Sequence, residues 1–310
     1  MKRVLVTGGA GAIGSHLVSS LVHSGQEVLV LDDLSSGRKE LLPNNVEFIN
    51  GSITDDRILD SVFDSKPQVV FHLAALFANQ QSVDRPQHDL EVNGLGTLKV
   101  LEKCKQYKVE RFVYTSSSCV YGHQDKNLHE EDKLQDLDTP YAATKLLGEQ
   151  YSKMWSQSQD FVVKVIRVFN SYGPNEFPGI YRNVIPNFLQ KAMRGESLTI
   201  LGEGTETRDF TYVSDVVTGL LLSASTANDV FEIYNIGSGR GTKILDLAKE
   251  INSITGNQAP IKFAPRRNWD HILHRVSDIS HAQKELGYSP KVRLNEGILK
   301  TYEWLKSNAE

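Results

Sequence analysis

Short apolar runs and amphipathic stretches alternate along the first half of the chain. Arg3 to Val6, Glu27 to Leu31, Val46 to Ile49, Val69 to Leu73 and Phe112 to Ser116 are runs of strand length, rich in Val, Leu, Ile and Phe. Strands buried on both faces of a sheet read this way, because each side chain meets packed protein whichever way it points. Between them, Ser15 to Ser24, Arg57 to Phe63 and Asn93 to Gln106 repeat their apolar residues at the helical period. A helix from Tyr141 to about Trp155 then precedes another apolar run, Phe161 to Val168. This alternation predicts an α/β fold, a parallel sheet of six or seven strands with helices on both faces.

After Asn170 the pattern changes. Ser171 to Tyr181 reads as loop, Val184 to Met193 as helix, and Leu198 to Thr207 as a hairpin, with a further helix from Ser214. Glu232 to Asn235 has strand character, and Leu245 to Ile254 and Leu294 to Leu305 have helical spacing. The expected division is residues 1–170 as the sheet domain and residues 171–310 as a smaller region closing over it, with some later segments returning to the sheet. No internal repeat, low-complexity tract or Pro-rich linker separates the two parts, so they are expected to share one body.

Composition narrows the class. In 310 residues, 40% are hydrophobic and 23% charged, with 23 Gly and 10 Pro, which excludes collagen-like, disordered and coiled-coil chains. Area scaling predicts that folding buries about three quarters of the unfolded chain's surface, so neither a disulfide nor a metal is required. A net charge of -4 supplies no broad basic field, which argues against nucleic acid as a partner. Cys104 and Cys119 cannot form a disulfide framework and lack zinc-ligand spacing, so a cytoplasmic, metal-free protein is expected. No apolar run approaches the ~20 residues of a membrane span. Met1-Lys2-Arg3 leads into a strand rather than an apolar signal core, so neither a targeting segment nor a membrane partner is expected.

The first turn carries chemistry. Thr7-Gly8-Gly9-Ala10-Gly11-Ala12-Ile13-Gly14 follows the first strand and opens a helix. Glycine at positions 8, 11 and 14 permits the tight turn, close backbone approach to a pyrophosphate and helix-on-strand packing, while the helix start offers N–H groups and a positive dipole end. A glycine triplet alone is weak, but Asp32 ends the second strand 18 residues after Gly14. Its carboxylate can accept both ribose hydroxyls and would repel a 2′-phosphate, which favours NAD over NADP. Arg38 would suit a 2′-phosphate, yet within Ser35-Ser36-Gly37-Arg38 it reads as a solvated loop residue.

Tyr141-Ala142-Ala143-Thr144-Lys145 puts a phenol and an ammonium on one helix face. A free tyrosine titrates near ~10 and is a poor base at neutral pH. The Lys charge, with a cationic nicotinamide, would favour the phenolate and bring the pKa towards the working range. Such a pair is common on helix surfaces and signifies chemistry only in company. That company is Tyr114-Thr115-Ser116-Ser117-Ser118-Cys119-Val120-Tyr121-Gly122, at the C-terminal end of a strand, where open α/β sheets bind ligands.

Together with His72-Leu73-Ala74-Ala75, Asn93 and Arg167-Val168-Phe169-Asn170, these motifs make the chain resemble the extended short-chain dehydrogenase/reductase family, the nucleotide-sugar epimerases and dehydratases. The resemblance covers nearly the whole chain. It implies a Rossmann-type doubly wound parallel sheet with a smaller C-terminal α/β substrate-binding region, NAD as cofactor and a nucleoside-diphosphate sugar as substrate. It implies that Ser117 bonds the sugar hydroxyl, with Ser118 beside the substrate, that Tyr141 is the base, and that Lys145 holds the nicotinamide ribose. Gly8, Gly11, Ala12, Ile13, Gly14, Asp32, Ser36, Leu73, Ala74, Ala75 and Asn93 fall to the cofactor. Ser52-Ile53 stands where the family usually has Asp-Ile or Asp-Leu, which puts one adenine hydrogen bond in doubt. Asn170, Val184, Phe188, Arg208, Arg267 and Asp270 match the nucleotide and diphosphate contacts. Two guanidinium forks suit a pyrophosphate, although either arginine alone would read as a surface ion pair.

The pair after Ser117 bears on the reaction. The family's 4,6-dehydratases usually carry Asp-Glu there, and its decarboxylases usually carry Glu second; Ser118-Cys119 disfavours both. The 3,5-epimerase/reductases carry Cys at this place as acid/base, but their second proton carrier falls near Asn183, an amide. A small buried Cys is usually packing, and Cys104, with Leu98 and Leu101, reads as core. His271 and His274 lack a third metal ligand nearby. What remains is inversion at C4 of a UDP-glucose-type sugar through a 4-keto sugar, with tightly held NAD. A dehydratase or 3,5-epimerase/reductase using Cys119 is one alternative, and a non-catalytic dinucleotide sensor or scaffold another; Tyr141, Lys145 and Ser117 argue against the latter. The sugar is not readable: the loops Leu76 to Ser82 and Asn175 to Arg182 match no specific subfamily, and Arg182 suits either a carboxylate or the surface. A homodimer is expected through the helices Asn93 to Lys105 and Tyr141 to Trp155, which carry Leu98, Leu101, Leu146, Leu147, Met154 and Trp155.

Overall fold

Six parallel strands follow one another along the first half: β1 (Arg3–Thr7), β2 (Glu27–Asp32), β3 (Glu47–Asn50), β4 (Val69–His72), β5 (Arg111–Ser117) and β6 (Val162–Val168). A seventh, β7 (Phe231–Ile236), comes from the second half and pairs with β6. The sheet order is β7-β6-β5-β4-β1-β2-β3. The structure, a computed structural model, describes residues 2–77, 79–132, 134, 136–158, 161–226 and 230–308. Met1 and Ala78, which belong to segments read from the sequence, lie outside them.

Each face of the sheet has its own core. Leu17, Val18 and Leu21 of α1 (Ala12–His23) pack with Val4, Val6, Val28 and Val30. On the other face Leu59, Val62 and Phe63 of α2 (Asp56–Phe63) meet Leu5, Leu29 and Val70, joined by Val100, Leu101 and Cys104 of α3 (Thr97–Gln106). Each such side chain contributes roughly 1.5–3 kcal/mol on burial, which is why the centres of the inner strands are mostly apolar. The chain then forms α4 (Pro140–Ser158), α5 (Val184–Met193), α6 (Val213–Ser225), α7 (Ile244–Thr255) and α8 (Leu294–Ser307). Val216 and Leu220 of α6 return to the α1 face. Ile185 and Leu189 of α5, Leu247 and Ile251 of α7 and Ile298 of α8 build a third core beyond the strand ends. Among the described residues no helix is long and apolar enough to cross a membrane.

Two local expectations need correction. Leu198 to Thr207 is not a hairpin: Thr199–Leu201 pairs in parallel with Lys262–Ala264, whereas Thr207–Asp209 pairs with Gly241–Lys243 and His274–Arg275. Gly202 and Gly204, both at positive φ, turn the chain away between the two strands, and each finds its partners far along the sequence. The helix expected from Asn93 begins with wider, π-type turns over Leu90–Gly96 before α3, an irregularity often met at functional sites.

Strand order reverses between β1 and β4, where Thr7 stands in register with His72. Loops leaving the two strands there diverge and open a crevice beyond their C-terminal ends, the place where open α/β sheets take ligands.

Candidate active site

A cavity of about 980 Å³ fills this crevice. Gly8 leaves β1 with φ of +70°, and a Cβ there would lie 2.6 Å from the Ala74 backbone nitrogen. A Cβ on Gly14 would lie 2.1 Å from the Gly8 carbonyl oxygen. Only bare backbone lets the first turn, the loop after β4 and the start of α1 approach so closely. Helix α1 begins at Gly11 without a side-chain cap and without a carboxylate in its first turn, and Ala12 and Ile13 face the cavity. Uncapped amides and the dipole end suit a diphosphate.

Asp32, at the end of β2, accepts hydrogen bonds from Ala10 N–H and Leu34 N–H, both 2.9 Å. A carboxylate offers about four acceptor directions, so two remain for a ribose diol. Burial pushes its pKa up and these two amides pull it down. Ser36, Ser52, Ile53, Leu73, Ala74 and Ala75 also line the cavity. These residues therefore fit a dinucleotide. Asn93 is the exception, being buried behind the wall: its side chain accepts from Leu76 N–H at 2.7 Å and donates to Leu76 O and Asp89. It braces the loop instead of lining the pocket.

His72 supports the same loop. Thr97 Oγ1 donates to Asn93 O and so accepts from His72 Nε2–H at 3.0 Å; His72 Nδ1 then accepts from Thr7 Oγ1 at 2.7 Å, which in turn accepts from Ala74 N–H. The order of donors assigns the Nε2–H tautomer. Complete burial and Lys145 lower the His72 pKa to about 3, so the ring stays neutral.

Ser117 ends β5, and Tyr141 and Lys145 stand one turn apart on α4; all three face the cavity with Ser118 and Cys119. Lys145 donates from Nζ to Thr115 O at 2.9 Å. Burial lowers its pKa to about 8 against the pull of Asp89, a buried carboxylate held by Asn93 and Thr144. Tyr141 is 6% exposed. Burial and the neighbouring Cys119 raise the phenol well above its ordinary range, and a hydrogen bond with Ser117 opposes them. Within the protein framework the phenol is thus held neutral. Lowering it towards the working range is the effect expected of Lys145 and a cationic nicotinamide together.

The far end of the cavity carries Asn170, Val184, Phe188, Arg208, Arg267 and Asp270. Arg208 donates to Ile272 O at 2.9 Å and stands 3.7 Å from Asp270. Arg267 is exposed, its guanidinium 5.5 Å from the Trp269 ring centre. Arg275, not singled out by any motif, is buried beside Arg208 and donates towards Cys119 Sγ at 3.4 Å. Glu176, also missed, lines the cavity fully buried; burial raises its pKa to about 7, and Asn183 donates to it at 2.9 Å. Neither had a sequence signal, because each is defined by a partner distant in the chain. Arg182, offered for a carboxylate, instead donates to Ser36 O at 2.9 Å. Cys104 is core, and His274 pairs with Asn127 at 3.1 Å.

Comparison with known proteins agrees with this arrangement. The UDP-glucose 4-epimerase of Mycolicibacterium smegmatis is 36% identical over 99% of this chain and 100% of its own. An epimerase structure from Methanothermobacter thermautotrophicus superposes with a TM-score of 0.96 at 45% identity, covering 99% of this chain and 93% of that one. The UDP-glucose 4-epimerase of Thermotoga maritima, crystallised with UDP-glucose, gives 0.95 at 36% identity over 99% and 100%. The family model described as NAD dependent epimerase/dehydratase matches residues 4–237, which run from β1 past the end of β7 and take in the glycine turn, Asp32, Ser117, Tyr141 and Lys145. With the sheet order, the dinucleotide cradle and this match in agreement, the chain belongs to the NAD dependent epimerase/dehydratase family.

Proposed function

We propose that the protein inverts C4 of a UDP-linked hexose through a 4-keto sugar, with Tyr141 as the base. The observation that carries this reading is the meeting of Ser117, Tyr141 and Lys145 at the strand-end crevice, with Ser118-Cys119 and no carboxylate in the two positions after Ser117. Similarity to two UDP-glucose 4-epimerases over essentially the full chain supports it. A bound nicotinamide supplies the hydride acceptor and donor for the carbon inverted. Ser117 orients the sugar hydroxyl, Tyr141 holds or receives its proton, and Lys145 adds the positive charge that favours the phenolate. Asn170 and Arg208 take the diphosphate, and Val184 and Phe188 pack on the base.

Proton NMR in D2O with NAD and UDP-sugars tests this. A C4 epimer free of solvent deuterium is expected. Deuterium at C3 or C5 would give the proton chemistry to Cys119, a second reading favoured by one observation: its thiol accepts from the Arg275 guanidinium at 3.4 Å and from the Asn79 amide at 3.5 Å. We also infer self-association through α4 and the π-type turns that lead into α3, which leave Met154, Leu90 and Leu95 each about half exposed; light scattering would show a dimer mass.

A further inference from the structure

Arg275 and Arg208 occupy paired positions on adjacent parallel strands, so their side chains leave on the same face. Like charges placed so closely disfavour the sheet. Both are also buried, Arg275 to 8% exposure, and a buried charge is costly unless paired. Arg208 has Asp270 nearby. Arg275 has no carboxylate within ion-pair distance among the described residues: Nη1 donates to Cys119 Sγ at 3.4 Å, Nη2 to Gly122 O at 3.5 Å, and its buried Nε–H has no partner. A guanidinium with two long contacts and an empty donor, lining the cavity, is an anion site awaiting its anion.

Its position tells which anion. The diphosphate, in the reading above, lies with Arg208 and Asn170. Arg275 instead reaches the turn that follows β5, and the thiol it contacts belongs to the residue two after Ser117 and acts electrostatically on Tyr141. That is the sugar end of the cavity. We propose that Arg275 is a specificity-determining residue that pairs with a carboxylate on the sugar, so that a nucleotide-linked sugar acid is preferred to the neutral hexose. The planar fork offers a carboxylate two parallel N–H donors. This inference rests on the proposed placement of the nucleotide sugar in the cavity.

The test compares binding and turnover of UDP-glucuronate, UDP-glucose and UDP by the NAD-loaded protein, with Arg275→Gln and Arg275→Lys alongside. The parent should bind UDP-glucuronate about 30-fold or more tighter than UDP-glucose, the factor expected for a buried charge pair. Arg275→Gln should abolish that preference while leaving UDP affinity intact, and Arg275→Lys should restore part of it. Equal affinity of the parent for the two sugars overturns the proposal and needs no variant. Equal weakening of UDP itself by Arg275→Gln also overturns it, by assigning Arg275 to the diphosphate. If UDP-glucuronate binds with the expected preference but no C4 epimer forms, Arg275 keeps its role and the 4-epimerase reading falls.

Discussion

Lys145 holds its ammonium 5.8 Å from the ring centre of Tyr141 while donating to the Thr115 carbonyl at 2.9 Å. The cation is anchored to β5 and the phenol rides on α4, so the strand sets the charge against which the helix presents its acid. Because burial alone favours the neutral phenol, the phenoxide depends on this cation and on the cofactor's charge. Tyr141→Phe keeps ring and packing but removes the proton carrier. Its turnover should fall by about 10²–10⁴, the usual contribution of a positioned acid/base, with the melting temperature nearly unchanged. Turnover near the parent's would dismiss Tyr141 as base.

Cys119→Ser separates the two proton chemistries. Under C4 inversion the thiol only fills the wall and accepts from Arg275 and Asn79, so Ser should leave the epimerisation rate close to the parent's. A loss of about 10²-fold or more would transfer acid/base duty to the thiol.

The loop carrying Phe177 straps the cavity, which its neighbours Glu176, Gly179 and Arg182 line, while Phe177 itself packs outside that lining against Trp304. The Arg38 guanidinium lies 3.5 Å over the Phe177 ring, and Arg182 reaches Ser36 O from the same loop. Arg38 is exposed, as its loop position led it to be read, and rests its guanidinium on that ring. Phe177→Ala should weaken dinucleotide retention about 2- to 30-fold, the range a cation–π contact supplies. The fraction of NAD surviving gel filtration measures it, and an unchanged fraction would refute the strap.

Glu176 predicts a pH dependence of stability. Its pKa is about 7 in the fold against an ordinary value of 4.5. Between these values the folded chain holds a proton that the unfolded chain has lost, so stability falls as pH rises through that window, by roughly 3 kcal/mol. Gln cannot ionise and retains an oxygen for Asn183. Glu176→Gln should therefore melt at a temperature that, relative to the parent, rises from pH 5 to pH 8. A constant difference would show that Glu176 ionises freely.

The large sheet was legible because its strands are apolar on both faces, a pattern no surface segment imitates; Val184–Met193 was likewise readable from its helical spacing. The glycine turn and Asp32 were legible because phosphate approach and ribose recognition demand those residue types at that spacing. Leu198 to Thr207 misled because local sequence cannot tell a hairpin from two short strands paired elsewhere, here to Lys262–Ala264 and to Gly241–Lys243. Arg275 and Glu176 were invisible for a related reason: an arginine or glutamate looks solvated until the fold removes water from it. Asn93 was found by its motif as a residue of the site, and it serves there from behind the wall by bracing Leu76, since a spacing does not say on which side of a loop an amide lies.

Strand β7 meets β6 at six registered positions, from Phe231 opposite Val163 to Ile236 opposite Val168. During synthesis the outer edge of β6 is made 68 residues before β7 is complete. At translation rates of about 5–20 residues per second, that edge waits roughly 3–14 s for its partner. An unpaired, apolar strand edge is a template for association with other chains. The nascent protein is therefore most exposed to misassembly in that interval, and a chaperone that shields β6 would do its work there.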